Sequence, residues 1–101
     1  MLDLAKEKKW YEVKWFNGII LKLPILTQQE LTNDFAYIMT LLDSEDVEQQ
    51  AEGLMSFVKE LIKRNKDGIV LNDEDYRELD LDLIRLLIED YYQFMDDLLG
   101  E

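Results

Sequence analysis

The 101-residue sequence predicts a mainly α fold: a small bundle of three to four helices with a short N-terminal β-hairpin, forming one domain over residues 1–101. Two observations predict it. Apolar residues recur at helical spacing through most of the chain beyond residue 27. Before that point, an Asn-Gly pair is flanked by β-branched and aromatic residues, which is the strongest short-range signal of a hairpin.

The hairpin is predicted over "WYEVKWFNGIILKLP", residues 10–24. Asn17 and Gly18 are expected to form a two-residue turn in which both have positive φ. An isolated hairpin is marginally stable in water, so this one must pack on helices or pair with another chain. It contains both tryptophans, and we expect one of Trp10 and Trp15 in the core and the other at an interface.

Four helices are predicted over the rest of the chain, at residues 27–42, 45–66, 73–79 and 81–99. Thr27 and Glu30 have the spacing of a capping box at the start of the first. Ser44 is the expected N-cap of the second, and Gly68 is its expected stop. Gly53 lies inside that helix, where glycine costs about 1 kcal/mol relative to alanine and indicates a close helix contact.

Acidic residues dominate the chain, with 23 Asp and Glu against 11 Lys and Arg and a formal net charge of −12. The charge is uneven, because residues 1–26 carry +2 and residues 27–101 carry −14. Such a protein should repel nucleic acid and anionic membranes, so we expect neither as a partner. A basic or electropositive partner is favoured, although solubility alone would explain the same charge.

The sequence also predicts where the protein resides. No apolar run approaches the roughly 20 residues of a membrane span, and the N-terminal lysines lead to no apolar signal-peptide stretch. We therefore expect a cytoplasmic protein that is not secreted. The absence of cysteine, which rules out a disulfide framework, fits this expectation.

Two acidic stretches have features of metal or catalytic sites. The stretch "KRNKDGIVLNDE" has partial EF-hand spacing, at Asn65, Asp67, Gly68 and Glu74, but Lys63 stands where the first carboxylate belongs. The stretch "NDEDYRELDLD" contains six carboxylates. The helix dipole alone favours carboxylates at the start of a helix. Histidine, cysteine and a glycine-rich phosphate loop are absent. We expect no enzyme, metal site or cofactor.

The last helix, which contains "LIRLLIEDYYQFMDDLL", is apolar over about half of its circumference, with only Leu86 outside the apolar arc. Asn72 and Asp80 are the expected caps of the last two helices. The side near Leu87 and Tyr91 should cover the other helices, and the opposite flank should stay at the surface as a protein contact. The predicted partner or self-association face comprises Leu81, Ile88, Tyr92, Met95, Leu99, Trp10 and Trp15. The alternative is a core helix wrapped on both sides.

The layout resembles the small acidic tail assembly chaperones of long-tailed bacteriophages with non-contractile tails. The resemblance covers most of the chain: "YEVKWFNGIILKLP", the "TQQEL" helix start, a second helix ending in "IKRNKDG", and "LNDEDYRELDLDLIRLLIEDYYQFMDDLL". It implies a protein of the host-cell cytoplasm that binds the tape measure protein, a long, helix-rich, apolar protein. It also implies that the chaperone keeps this client soluble until tail tube subunits replace it. It implies no catalytic residues.

Other classes of function stay open at this point. An acidic inhibitor or nucleic-acid mimic would bind a basic enzyme through carboxylates, and its affinity would fall steeply with salt. A metal-dependent enzyme would use the carboxylates of residues 73–82. A chaperone that binds through apolar surface would be much less sensitive to salt, and we expect such a protein to form a homo-oligomer.

Overall fold

The computed structural model describes residues 1–99 and confirms the predicted fold class, a mainly helical bundle that begins with a two-stranded antiparallel hairpin. A one-turn helix that the sequence did not predict precedes the hairpin. The elements in chain order are α1 (Leu4–Glu7), β1 (Trp10–Lys14), β2 (Ile20–Pro24), α2 (Gln28–Asn33), α3 (Ala36–Leu42), α4 (Val47–Lys63), a 3₁₀ helix (Asp73–Tyr76) and α5 (Leu81–Leu99).

The hairpin turn differs from the prediction. The Trp15 N–H donates to the Ile19 carbonyl at 2.8 Å, and the Gly18 N–H donates to the Trp15 carbonyl at 2.9 Å. Gly18 has a φ of +87°, whereas Asn17 does not have positive φ. The Asn17 side chain instead accepts the Ile19 N–H at 3.0 Å. The loop therefore has three residues, a tight turn followed by a left-handed glycine, in place of the expected two-residue turn.

The helix predicted over residues 27–42 is broken at Phe35 into α2 and α3. Thr27 forms the predicted capping box with Glu30. The Phe35 N–H donates to the Glu30 carbonyl at 3.2 Å, one residue beyond the regular α-helical partner. The Phe35 ring is fully buried, with its centroid 5.4 Å from that of Phe57. Packing of this ring in the core overrides the local helical pattern.

The start of α4 lies two residues later than predicted, because Asp46 rather than Ser44 is its N-cap and accepts a backbone N–H at 2.9 Å. Within α4, Gly53 marks the predicted helix contact. A Cβ added there would lie 3.0 Å from the Leu41 Cβ and 3.2 Å from the Leu42 backbone nitrogen. The glycine thus lets α3 and α4 approach closely.

The end of α4 lies at Lys63, three residues before the predicted end. The buried side chain of Asn65 donates to the carbonyls of Ile62 and Ile69, each at 2.7 Å, and accepts the Ile69 N–H at 2.9 Å. These hydrogen bonds form a turn in place of another helical turn, so the helix ends here. Gly68 has positive φ as a stop residue would, but it lies within this turn, five residues after the last helical residue, instead of ending the helix.

The segment predicted as a helix over residues 73–79 is a single 3₁₀ turn, although Asn72 caps it as expected. The last helix, α5, has the predicted bounds. Asp80 caps α5, since its carboxylate accepts the Leu83 N–H at 2.9 Å. A short acidic turn thus leads directly into the longest helix of the protein.

The hairpin lies over α4 and α5. The β2 side chains of Leu21 and Leu23 are fully buried where β2 packs on α4. The β1 side chain of Tyr11 packs edge-on against Tyr91 and Phe94 of α5, with ring centroids 5.4 Å apart in both pairs. One strand thus covers each of the two long helices.

Candidate functional site: an apolar groove beside the hairpin

The inner face of β1 and one side of α5 are not in full contact. Between them lies a groove of about 380 Å³ whose lining is mainly apolar. Its lining includes Tyr11, Val13, Trp15 and Phe16 from the hairpin and Leu83, Leu86 and Leu87 from α5. No residue of β2 contributes to this lining, so the groove lies on the β1 side of the hairpin.

The groove is bordered by exposed apolar side chains. Leu86 is 61% exposed, Leu83 is 37% exposed and Phe16 is 48% exposed. Scattered single apolar residues are normal on a protein surface, but these three line one concave site. The groove is therefore the candidate protein-binding site of the described chain.

The predicted face on α5 lies on a different side of the helix from the groove, and its described members are less exposed than expected. Met95 is buried, and Leu81, Ile88 and Tyr92 are half-buried. The Leu99 side chain lies outside the described residues. A role of these residues in self-association stays a prediction.

The reason for this difference is the position of α4. The Phe57 ring of α4 stacks on Tyr92 with centroids 6.1 Å apart and approaches Tyr91 edge-on at 6.4 Å. The flank near Tyr92 therefore packs against α4. The side of α5 that stays exposed carries Leu83 and Leu86. Leu86 is the apolar residue that lies outside the apolar arc predicted from the sequence.

The two tryptophans have different surroundings. Trp15, a member of the predicted face, is buried. Its indole N–H donates to the Asp75 carbonyl at 2.8 Å, and its ring lies edge-on to Tyr76 at 5.7 Å. These contacts fix the hairpin tip to the turn before α5. Trp10 is half-buried, with the Lys8 ammonium 4.5 Å from its ring centroid.

Two tyrosine hydroxyls fix α5 to the hairpin. The Tyr11 hydroxyl donates to the Asp90 carboxylate at 2.7 Å, and burial together with this carboxylate raises the pKa of Tyr11. The Tyr91 hydroxyl donates to the Pro24 carbonyl at 2.6 Å and accepts the Leu26 N–H at 3.3 Å. Burial raises the pKa of Tyr91 to about 12. Both hydroxyls therefore act as neutral donors at ordinary pH.

The surroundings of the groove are acidic. Helix α5 carries five carboxylates and one arginine, and residues 72–80 also carry five carboxylates and one arginine. Asp90 and Lys14 are exposed, charged members of the groove lining. An apolar site in an acidic field favours apolar ligands that carry basic groups at their ends.

The carboxylates of residues 1–99 are not grouped as the ligands of one metal ion would be. No group of three or more potential ligand side chains could hold a metal ion there. The Asn65 side chain, one of the residues with EF-hand spacing, is committed to the turn after α4. Across the same residues, no helix is both long enough and apolar enough to cross a lipid bilayer.

No protein-family model matches the chain, and no curated protein or solved structure is significantly similar to it.

Proposed function

We propose that the protein is a non-enzymatic assembly chaperone that binds an apolar, helix-rich client through the groove between β1 and α5. The resemblance in sequence implies the tape measure protein of a phage tail as the client and the host-cell cytoplasm as the site of action. The observation that carries the proposal is the exposed apolar lining at Leu83, Leu86 and Phe16.

The size of the groove supports a weak, reversible complex. Full burial of one Leu-sized side chain contributes about 1.5–3 kcal/mol, and a groove of about 380 Å³ has room for only a few such side chains. A single contact would thus hold the client loosely, and later displacement by another protein would be easy. Many copies along a long client would together keep it soluble.

The charge supports the same role. A net charge of −12 keeps coated complexes apart by mutual repulsion and opposes aggregation of the apolar client. It also favours a client whose apolar helices are flanked by lysine or arginine.

A matched pair of variants tests the proposal. Leu86→Glu places a carboxylate in the groove, whereas Val70→Glu places the same group at an aliphatic residue that is 89% exposed and lies outside the groove. We expect co-expressed tape measure protein to be pulled down by the wild type and by Val70→Glu, and at least tenfold less by Leu86→Glu. Equal capture by the two variants, at unchanged melting temperature, would contradict the proposal.

An acidic inhibitor of a basic enzyme is the second candidate, and the ten carboxylates of residues 72–99 favour it. Salt separates the two functions. Raising NaCl from about 50 to 500 mM should abolish binding that depends on carboxylates, because screening shortens the Debye length to a few ångströms. Binding through the groove should change by much less over the same range.

A further inference from the structure

We propose that the groove of one copy is filled by the N-terminal segment, residues 1–8, of a second copy, which adds to β1 as a third strand. In this arrangement the segment occupies the groove until a client displaces it. The displacement step rests on the function proposed above, whereas the docking of the segment does not.

The apolar side chains of the N-terminal segment are not buried against the described part of the chain. Leu2 is 73% exposed and Leu4 is 75% exposed, although both are large apolar residues. Helix α1 is a single turn without a buried residue, and Asp3 is its N-cap. An isolated turn has little stability of its own, so this segment can become extended at small cost.

The outer edge of β1 has free backbone hydrogen-bonding groups. Because the Trp15 N–H bonds to β2, the alternation of an antiparallel pair turns the N–H and C=O of Glu12 and Lys14 away from β2. Within residues 1–99, no loop or cap backbone hydrogen bond reaches these groups. On the opposite edge of the hairpin, the Lys22 carbonyl accepts the Lys66 N–H at 2.9 Å.

An added strand would cover the exposed apolar residues of the groove and bond to the backbone groups on the outer edge of β1. The groove lies on the β1 side and exposes Leu83 and Leu86, so a third strand on β1 would lie across them. Extended residues 1–8 place Leu2 and Leu4 on the same face, because side chains alternate along a strand. That face can pack on Leu83 and Leu86 while the backbone bonds to β1.

The geometry of the linker favours a second copy over the chain's own segment. Only Lys8 and Lys9 separate α1 from β1, and Lys8 has extended backbone angles of φ −63° and ψ 129°. Folding back onto β1 through a tight two-residue turn would need positive φ, which lysine disfavours. A segment from another copy meets no such restriction.

The charges of the two surfaces are complementary. Residues 1–9 carry three lysines and two carboxylates, whereas α5 carries five carboxylates and one arginine. Their attraction steers the basic segment of one copy towards the acidic side of another.

Single cysteines test the docking cleanly, since the natural chain has none. Leu4→Cys protein is mixed at about 50 μM with Leu86→Cys protein or, as control, with Val70→Cys protein, and disulfide formation is followed in a redox buffer. We expect the Leu4–Leu86 pair to cross-link at least tenfold faster than the control pair. Equal rates would overturn the proposal.

The double variant Leu4→Cys/Leu86→Cys separates the two sources of the segment. A second copy predicts intermolecular dimers whose rate rises with protein concentration. An intramolecular disulfide that forms at the same rate at 1 and 50 μM would show that the chain fills its own groove, which overturns the proposal.

A variant of the segment gives an independent measurement. Leu2→Glu/Leu4→Glu should keep the melting temperature, because neither side chain is buried, and should lower the weight-average mass in sedimentation towards the monomer. An unchanged mass would count against the docking. Its client binding should tighten several-fold as the groove is freed. Cross-linking without client binding would contradict the proposed chaperone function only, and client binding without cross-linking would contradict the docking only.

Discussion

The two strands of the hairpin differ in how far the rest of the protein covers them. On the β2 side, Leu21 and Leu23 are fully buried against α4, and the Lys22 carbonyl is bonded to the chain that follows α4. On the β1 side, the backbone edge faces outwards and Leu86 of α5 stays 61% exposed. One small hairpin thus has a closed edge and an open edge.

The difference shows where the chain uses its apolar residues. The closed edge joins the hairpin to α4 and to Tyr91, so it is part of the core that stabilises the fold. The open edge has the same alternating strand pattern and a helix beneath it, but Leu83 and Leu86 stay 37% and 61% exposed there. Apolar surface that does not contribute to folding is available for binding.

The largest expected effect comes from truncating the closed edge. Leu21→Ala should lower the free energy of unfolding by about 2–5 kcal/mol, because it leaves a cavity in a packed core. Leu86→Ala should change it by less than about 0.5 kcal/mol, because the side chain is mostly exposed. Urea unfolding of both variants measures the two free energies. Similar losses of unfolding free energy would mean that the two edges contribute equally to stability.

The contrast between the edges explains which parts of the structure the sequence could predict. The bounds of α5 and its Asp80 cap were predicted because a long amphipathic pattern and a strong capping residue act locally. The hairpin was predicted from Asn-Gly, but its turn was wrong because the Asn17 side chain bonds to Ile19 without positive φ. Local signals thus predicted the elements better than their details.

The candidate site was harder to predict because it depends on which neighbour covers which side of a helix. Helical spacing predicted an apolar arc on α5 that is wider than one packed side. It could not tell that Phe57 of α4 would cover Tyr92. It also could not tell that the hairpin would leave Leu86 open, or that burial of Phe35 would break the first helix.

A second, smaller effect is expected at the turn that joins the two edges. Gly18→Val should lower the free energy of unfolding by about 1 kcal/mol or more, because a β-branched residue resists the φ of +87° found there. Among the described residues, no heavy atom beyond Gly18 and its two chain neighbours lies within 4 Å of a Cβ added there, so strain in the backbone is the cause rather than crowding. Gly18→Asn is the matched control, since asparagine tolerates positive φ better, and it should cost less than valine in thermal unfolding. A valine variant as stable as the asparagine variant would contradict the strained turn.

A third effect is confined to alkaline pH, and it concerns the Tyr91 hydroxyl that bonds to the end of β2. Burial raises the pKa of Tyr91 to about 12, whereas an unfolded tyrosine ionises at about 10. The folded state therefore keeps the Tyr91 proton at a pH where the unfolded state loses it, so this contribution to stability is complete below about pH 10 and falls as pH rises towards 12. The urea midpoint should drop between pH 9 and pH 11, and the drop should be smaller in Tyr91→Phe, which has no proton to lose. If the wild type and Tyr91→Phe lose the same stability over this range, the bond from Tyr91 to the Pro24 carbonyl does not govern the alkaline response, and other ionising groups account for it.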